Sequence, residues 1–530
     1  MPAPQRPPIP GHSRWRPPGR GGLARRWAPP LLAAAGLLLN GPAARALETV
    51  KLNLPIIDTA FTVQLKELRS SGALLRGNSD LAELDRALGG KLAPRLVDLF
   101  DTPLPVQVLS NVMGTPLAVQ VRLVLASFTL IDGSPTRRLN QQQLEEKVRQ
   151  LISQGKPTIL DLLQALPGRY AEIDLAQVSV FSKRLVNQRA QASKLVSDVK
   201  PASLGTDLAR PGPATVRRST PTLAVSHRPA PLELVLLQPA VAGNGRMVVI
   251  SHGLWDSPEN FEGWGRHLAS HGYTVLLPRH PGSDSSQQEA MLSGEVPPPS
   301  PEELRLRPLD IKAVLDAVPK GGIAGVGGVA SDRVVVIGHS WGATTAMQLG
   351  GAITESEKLR EHCSSVVHPS RNLSWVLQCS FLSSADQSAV SDPRVVAVAA
   401  VSPPLSLLFD RESGQRMTAR ALLVSGSRDW VVPPDPEAIA PFARSGAVRL
   451  GHRLVLADGG DHFNMRAPQA GDGTPLRALL LAWVNGAFAA GPAARPAAGA
   501  ADLLPAGGWG DGQIPLLDVS SRAKASGADL

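Results

Sequence analysis

Cysteine is nearly absent from this chain: its 530 residues include only Cys363 and Cys379, both in one short segment. Two thiols cannot staple a domain. Paired with each other, as expected of an exported chain, they close a loop worth about 3 kcal/mol of chain entropy, enough to hold a local insertion; two buried free thiols are the alternative. Long apolar runs are missing too. The stretch from Leu31 to Leu39 is too short to cross a bilayer, and no later segment offers the roughly 20 uncharged residues of a spanning helix. Lysine and acidic residues are absent from Met1 to Ala46, which carry seven arginines. The formal charge of +9 comes from 54 basic and 45 acidic residues, so without those seven arginines 47 basic residues face 45 acidic ones. The charge excess is local, which excludes a generally basic, nucleic-acid-binding surface. No internal repeat occurs, and from Leu47 to Val199 there is no His, Cys or paired-carboxylate cluster of the kind that builds a site.

What is present divides the chain into segments. Residues 1–46 read as an export signal: Arg25-Arg26, the apolar run, then Ala44-Arg45-Ala46 as a small-x-small cleavage site. The mature protein is therefore expected outside the cytoplasm, periplasmic or secreted. Residues 47–199 favour helices. Asn140 is placed to cap a segment carrying Leu144, Val148 and Leu151, and Asp174 one carrying Val178, Phe181 and Leu185, spacings that put each apolar set on one helical face. Five prolines, Pro201, Pro211, Pro213, Pro221 and Pro229, mark residues 200–230 as a linker.

From 231 to 490 short β-rich runs alternate with capped helices, the signature of a mostly parallel, doubly wound sheet. The candidate strands are Leu232 to Leu237, Met247 to Ser251, Tyr273 to Leu277, Val334 to Ile337, Val395 to Val401, Ala421 to Val424 and Arg453 to Leu456. Within this region, residues 351–391 read as a lid-like insertion carrying both cysteines. The Ala-, Pro- and Gly-rich residues 491–530 read as a poorly ordered tail.

The chemistry concentrates at Gly338-His339-Ser340-Trp341-Gly342, directly after an apolar strand and directly before a helix-forming stretch. That is the setting of a nucleophile elbow, where a sharp turn presents the serine hydroxyl above the sheet. A serine needs a base, and the base needs an orienting carboxylate. Asp429 follows the strand Ala421 to Val424, and His462 follows the strand from Arg453, so both arrive at the same sheet edge in the order this fold uses. Rivals are less well placed: His452 precedes its strand, His271 sits at a helix end and His339 is the spacer of the elbow, while Asp435, Asp458 and Asp461 also read as loop or capping carboxylates.

The N–H of Trp341 and that of Leu254, in Ser251-His252-Gly253-Leu254-Trp255, are the expected oxyanion donors. Trp255 and Trp430 lie next to these positions, and with His252 they are the candidate substrate contacts, an aromatic rim suited to a lipophilic group. Ordinary packing of large side chains is the alternative for the tryptophans. No metal-ligating pattern is present.

At these residues the chain resembles bacterial dienelactone-hydrolase-like and platelet-activating-factor-acetylhydrolase-like serine hydrolases. The matching stretches are Ser251-His252-Gly253-Leu254, Arg279-His280-Pro281-Gly282-Ser283, Arg307-Pro308-Leu309-Asp310-Ile311, the elbow and Asp461-His462-Phe463. Dienelactone hydrolases use a Cys nucleophile where this chain has Ser340, which favours the esterase side of the group. The helical half resembles the uncharacterised domain that precedes such hydrolases in cyanobacterial-type proteins. The resemblance implies an α/β-hydrolase fold behind a mainly α-helical domain, ester substrates that are small or lipid-like, and no cofactor. Peripheral membrane contact is compatible with such substrates; a nucleic-acid partner is not expected. A peptidase or amidase using the same triad, and a non-catalytic lipid- or partner-binding homologue, are the competing expectations.

Overall fold

Strands covered on both faces need apolar residues at every position, and Val334-Val335-Val336-Ile337 supplies them. Val334 and Val336 enter one apolar core while Val335 and Ile337 enter another on the opposite face of the sheet. The computed structural model describes residues 47–54, 59–132, 141–155, 157–365, 368, 370–410 and 412–523. The expected export signal, the proposed cap Asn140 and residues 524–530 lie outside these.

The N-terminal region contains four strands, β1 (Thr49–Leu54), β2 (Thr59–Gln64), β3 (Thr129–Ile131) and β4 (Tyr170–Asp174). They form a sheet of order β2-β1-β4-β3 in which only β1 and β4 run parallel. This sheet is an addition to the helices expected there. Its central pairing joins Thr49 to Tyr170, and a strand whose partner lies so far along the chain leaves little local signature. Helices pack around it, including Pro116–Phe128 and Leu175–Asn187. As expected, Asp174 caps the latter, accepting from the Gln177 N–H at 3.1 Å.

The larger sheet holds β5 (Val216–Ser219), β6 (Thr222–Leu223), β7 (Leu232–Pro239), β8 (Met247–Ser251), β9 (Thr274–Pro278), β10 (Val334–His339), β11 (Val395–Val401), β12 (Arg420–Gly426), β13 (Arg453–Ala457) and β14 (Leu516–Asp518). Its order is β14-β13-β12-β11-β10-β8-β9-β7-β5, with β6 also on β7. From β13 through β9 all neighbours are parallel, and β14, β7, β5 and β6 add antiparallel edges. One face is covered by the helices Glu303–Ala317 and Trp341–Leu349, the other by Glu262–Ser270 and Arg477–Ala489. The α/β architecture read from the sequence is present.

Two segments differ from expectation. The proline-rich 200–230 stretch is not a free linker: it contributes β5 and β6, and the Ala202 N–H donates to the Leu516 carbonyl. Its prolines flank the short edge strands rather than interrupt them, the position a residue without an N–H tolerates. The supposed tail also packs, as far as residue 523. Leu503, Trp509, Leu516 and Leu517 are buried and β14 closes the sheet edge, because a few well-spaced apolar residues suffice to anchor an Ala- and Gly-rich chain.

Candidate active site

The elbow forms as its composition requires. Ser340 sits at φ 53°, ψ −118°, a left-handed conformation that costs a non-glycine residue of order 1–3 kcal/mol and is held only where surroundings impose it. Those surroundings are visible. The Ser340 N–H donates to the Val401 carbonyl at 2.9 Å, a Cβ on Gly338 would collide with the Gly342 carbonyl, and one on Gly342 with the Ser251 carbonyl.

The candidate acid and base, Asp429 and His462, meet on the loops after β12 and β13. β12 ends at Gly426, and Asp429, fully buried, follows within the same loop. One oxygen of Asp429 accepts the N–H groups of Val431 and Val432 at 2.9 and 2.8 Å. The other meets His462 Nδ1 at 3.0 Å, which places the Nδ1 proton toward the carboxylate and leaves Nε2 as the basic nitrogen. His339 donates from Nε2 to the His462 carbonyl at 3.0 Å, and the two rings lie 4.8 Å apart. Burial pushes the His339 imidazole well below its usual pKa, followed by the nearby His462. The spacer of the elbow thus pins the loop that carries His462. Among the described residues the Ser340 hydroxyl makes no hydrogen bond, so the Ser340–His462 contact that would complete a triad is not closed here.

The rival residues are engaged elsewhere. His452 Nδ1 accepts the Ala421 N–H at 2.9 Å at the amino end of the strands. Asp435 accepts the Gln191 and Ala192 N–H groups, Asp458 accepts the Ser427 hydroxyl, and Asp461 accepts the Phe463 and Asn464 N–H groups.

The N–H groups of Gly253, Leu254 and Trp341 have no hydrogen-bond partner among the described residues. Gly253 lies against the elbow, where a Cβ would come within 3.4 Å of Ser340 Cβ. His252 is not placed to contact a substrate. It is buried, and both ring nitrogens are used within the protein: Nδ1 on the Gly253 carbonyl at 2.7 Å, Nε2 accepting the His280 N–H at 3.1 Å. Trp255, at φ 53°, donates to Gln287 at 2.8 Å, while Trp341 packs on Phe381 with ring centres 4.4 Å apart. Trp430 is 48% exposed, as is Phe463, 6.5 Å away. Phe381 and Phe463 had no distinguishing sequence signal beyond their neighbourhood to a cysteine and to His462.

The insertion is stapled by the Cys363–Cys379 disulfide, and its Phe381 packs in the core against Trp341. The sequence matches the alpha/beta hydrolase family over residues 248–519, just over half the chain. The chain belongs to the alpha/beta hydrolase family. No match was found among curated proteins. The family match begins within β8 and runs through β14, so the loop after β8, the elbow, the loops carrying Asp429 and His462 and the packed C-terminal strand all fall inside the alpha/beta hydrolase region.

Proposed function

We propose that this alpha/beta hydrolase is a serine esterase acting on small or lipid-like carboxylic esters outside the cytoplasm. The observation that carries the reading is the left-handed Ser340 on its strand-to-helix turn, with the His462–Asp429 pair arriving on the adjacent strand ends. Ser340 Oγ attacks the ester carbonyl carbon as His462 Nε2 takes its proton, and Asp429 orients and stabilises the imidazolium. The tetrahedral oxyanion accepts hydrogen bonds from unpartnered backbone N–H groups. Collapse breaks the bond to the alcohol, which leaves with the proton from His462. Water then attacks the acyl-enzyme, gives its proton to His462, and the carboxylic acid departs as Ser340 is restored. Catalytic hydrogen bonds commonly tighten only when substrate is bound, and the reading requires that of Ser340 and His462.

The exposed aromatic pair Trp430–Phe463, next to Asp429 and His462, favours an apolar acyl or alkoxy group. The resemblance of the elbow and of Asp461-His462-Phe463 to the dienelactone-hydrolase-like and platelet-activating-factor-acetylhydrolase-like group supports the same class. Export is supported by the disulfide and by the N-terminal signal pattern.

The test is fluorophosphonate labelling of the wild type and of Ser340→Ala, with turnover of p-nitrophenyl esters of graded acyl length. Labelling lost in the variant, with ester turnover in the wild type, supports the assignment. Faster cleavage of aryl amides than of the matching esters points to the amidase reading, and no labelling of either protein to a non-catalytic homologue.

A further inference from the structure

Behind the oxyanion loop lies a buried set of polar side chains that the reaction as described does not use. Arg307, 1% exposed, projects from the helix Glu303–Ala317 and donates from Nη2 to the His252 carbonyl and from Nη1 to the Ser283 hydroxyl at 3.2 Å. No carboxylate lies within ion-pair distance of it among the described residues, and its Nε has no partner. Burial lowers its pKa to about 10, against the pull of the carboxylates of Glu303 and Asp310 further off. A cation held this deep without direct pairing is costly, and a helix needs no such residue for packing.

Beside it runs a chain of bonds whose proton positions fix one another. Asp310, its pKa lowered by bonds from His227, His280 and Arg228 that outweigh its burial, accepts from His280 Nδ1 at 2.7 Å. His280 Nε2 is then the acceptor of the Ser251 hydroxyl at 3.0 Å. The His280 N–H donates to His252 Nε2, which leaves the His252 proton on Nδ1, directed at the Gly253 carbonyl. Burial, aided by the charge of Arg307, keeps both imidazoles neutral at pH 7, with His280 lowered to about 4.

Two consecutive peptide groups are therefore gripped by their carbonyls, His252 C=O by Arg307 and Gly253 C=O by His252 Nδ1. In a trans peptide the N–H points opposite to the carbonyl, so these grips direct the Gly253 and Leu254 N–H groups away from the buried cluster. Both N–H groups are unpartnered among the described residues, and Gly253 lies against Ser340. We infer that Arg307 and His252, held by His280 and Asp310, are positioning residues that aim the oxyanion donors of this site. The inference rests on the serine esterase reading. It assigns the Gly253 N–H as a donor alongside those of Leu254 and Trp341, and gives His252 an orienting role in place of substrate contact. Fixing the donors in advance is what makes them worth more than water, because no reorganisation is needed as charge develops.

The experiment uses the mature protein, with fluorophosphonate labelling to count active sites and a p-nitrophenyl ester to measure turnover per labelled site. Arg307→Met removes the grip on the His252 carbonyl. His252→Leu removes the grip on Gly253, whereas His252→Asn keeps a donor near the Nδ1 position. The expected result is a fall in kcat of about 10- to 100-fold for Arg307→Met and His252→Leu, KM within about twofold, and recovery of most of the loss in His252→Asn. Wild-type kcat per labelled site in both variants overturns the inference, even if their melting temperatures drop, since that is what a merely structural cluster would give. Should Arg307→Met fail to fold, the His252 pair decides, and equal turnover of Asn and Leu variants overturns it. Failure of the esterase reading is distinct, because the wild type itself would then show no labelling at Ser340.

Discussion

Asp429 carries two kinds of bond on its two oxygens, and this separation sets what its replacement does. The oxygen facing Val431 and Val432 holds the loop, while the other holds the imidazole. Asp429→Asn keeps an acceptor for the loop but offers His462 Nδ1 no carboxylate, so the ring loses its orienting charge. A fall in kcat on the order of 10³–10⁴ with little change in melting temperature is expected; steady-state kinetics beside a thermal melt checks it, and a loss of less than tenfold would remove Asp429 from the triad. Glu437 makes the opposite case. It is fully buried with no ion-pair partner among the described residues, and Asn372, Ser374, Gln378, Leu405 N–H and both donors of Ser406 converge on its two oxygens. This carboxylate ties the insertion to the loop after β11. Glu437→Gln puts an amide NH2 against the three N–H donors of Gln378, Leu405 and Ser406 or, turned the other way, against the Asn372 amide and two hydroxyls that must give up their own bonds to accept, and about 2–4 kcal/mol of stability should go. Urea unfolding reads that directly, and a midpoint unchanged from wild type would show that the donors find other partners.

At the scale of elements, what could be read along the chain was whatever neighbours in sequence decide. β10, the elbow and the helix after it are one continuous stretch, so apolar run, paired glycines and helix formers all signal the same turn. β8, β11, β12 and β13 were visible for the same reason, and their carboxyl ends located Asp429 and His462. What was not visible depends on distant partners. β14 becomes a strand only by pairing with β13, β1 by pairing with β4, and the His252–His280–Asp310 chain joins three stretches that the resemblance marks singly but whose meeting no one of them signals. The elbow also shows how little room the turn has. Gly342→Ala would drive a methyl into the Ser251 carbonyl at the start of the loop after β8, so backbone must shift on both sides of Ser340. Labelling by fluorophosphonate should fall at least 100-fold even in the folded fraction. Retained labelling would mean the loop can move without harm to the site.

For the whole molecule, the question is how the N-terminal region is fastened to the hydrolase core, and one buried carboxylate takes part alongside contacts such as Gln120 with Arg371 and Asn111 with the Gly294 carbonyl. Asp435, 8% exposed, accepts the N–H groups of Gln191 and Ala192 at 2.8 and 2.9 Å, at the start of the helix Ala190–Asp198, while its own N–H donates to the Gln188 carbonyl. Gln188 in turn reaches the carbonyls of Ser370 and Arg371 in the insertion. Burial raises the Asp435 pKa from 3.8 to about 6, more than its two backbone bonds lower it. An acid whose pKa is raised on folding binds its proton more tightly in the native state, so its contribution to stability is complete below about pH 4 and is lost as pH climbs through 6. The fastening of the two regions is therefore expected to loosen on the way from pH 4 to pH 6.5, by at most about 3 kcal/mol at 1.36 kcal/mol per unit. Asp435→Asn, neutral throughout, should lack that slope while other groups titrate as before. Urea midpoints of the two proteins across this range provide the measurement: curves that converge at low pH and separate toward pH 6.5, with the variant the more stable, agree with the linkage. Parallel curves would mean that Asp435 titrates alike in both states, and that the helix Ala190–Asp198 is held by its apolar contacts through Ala192 and Leu195.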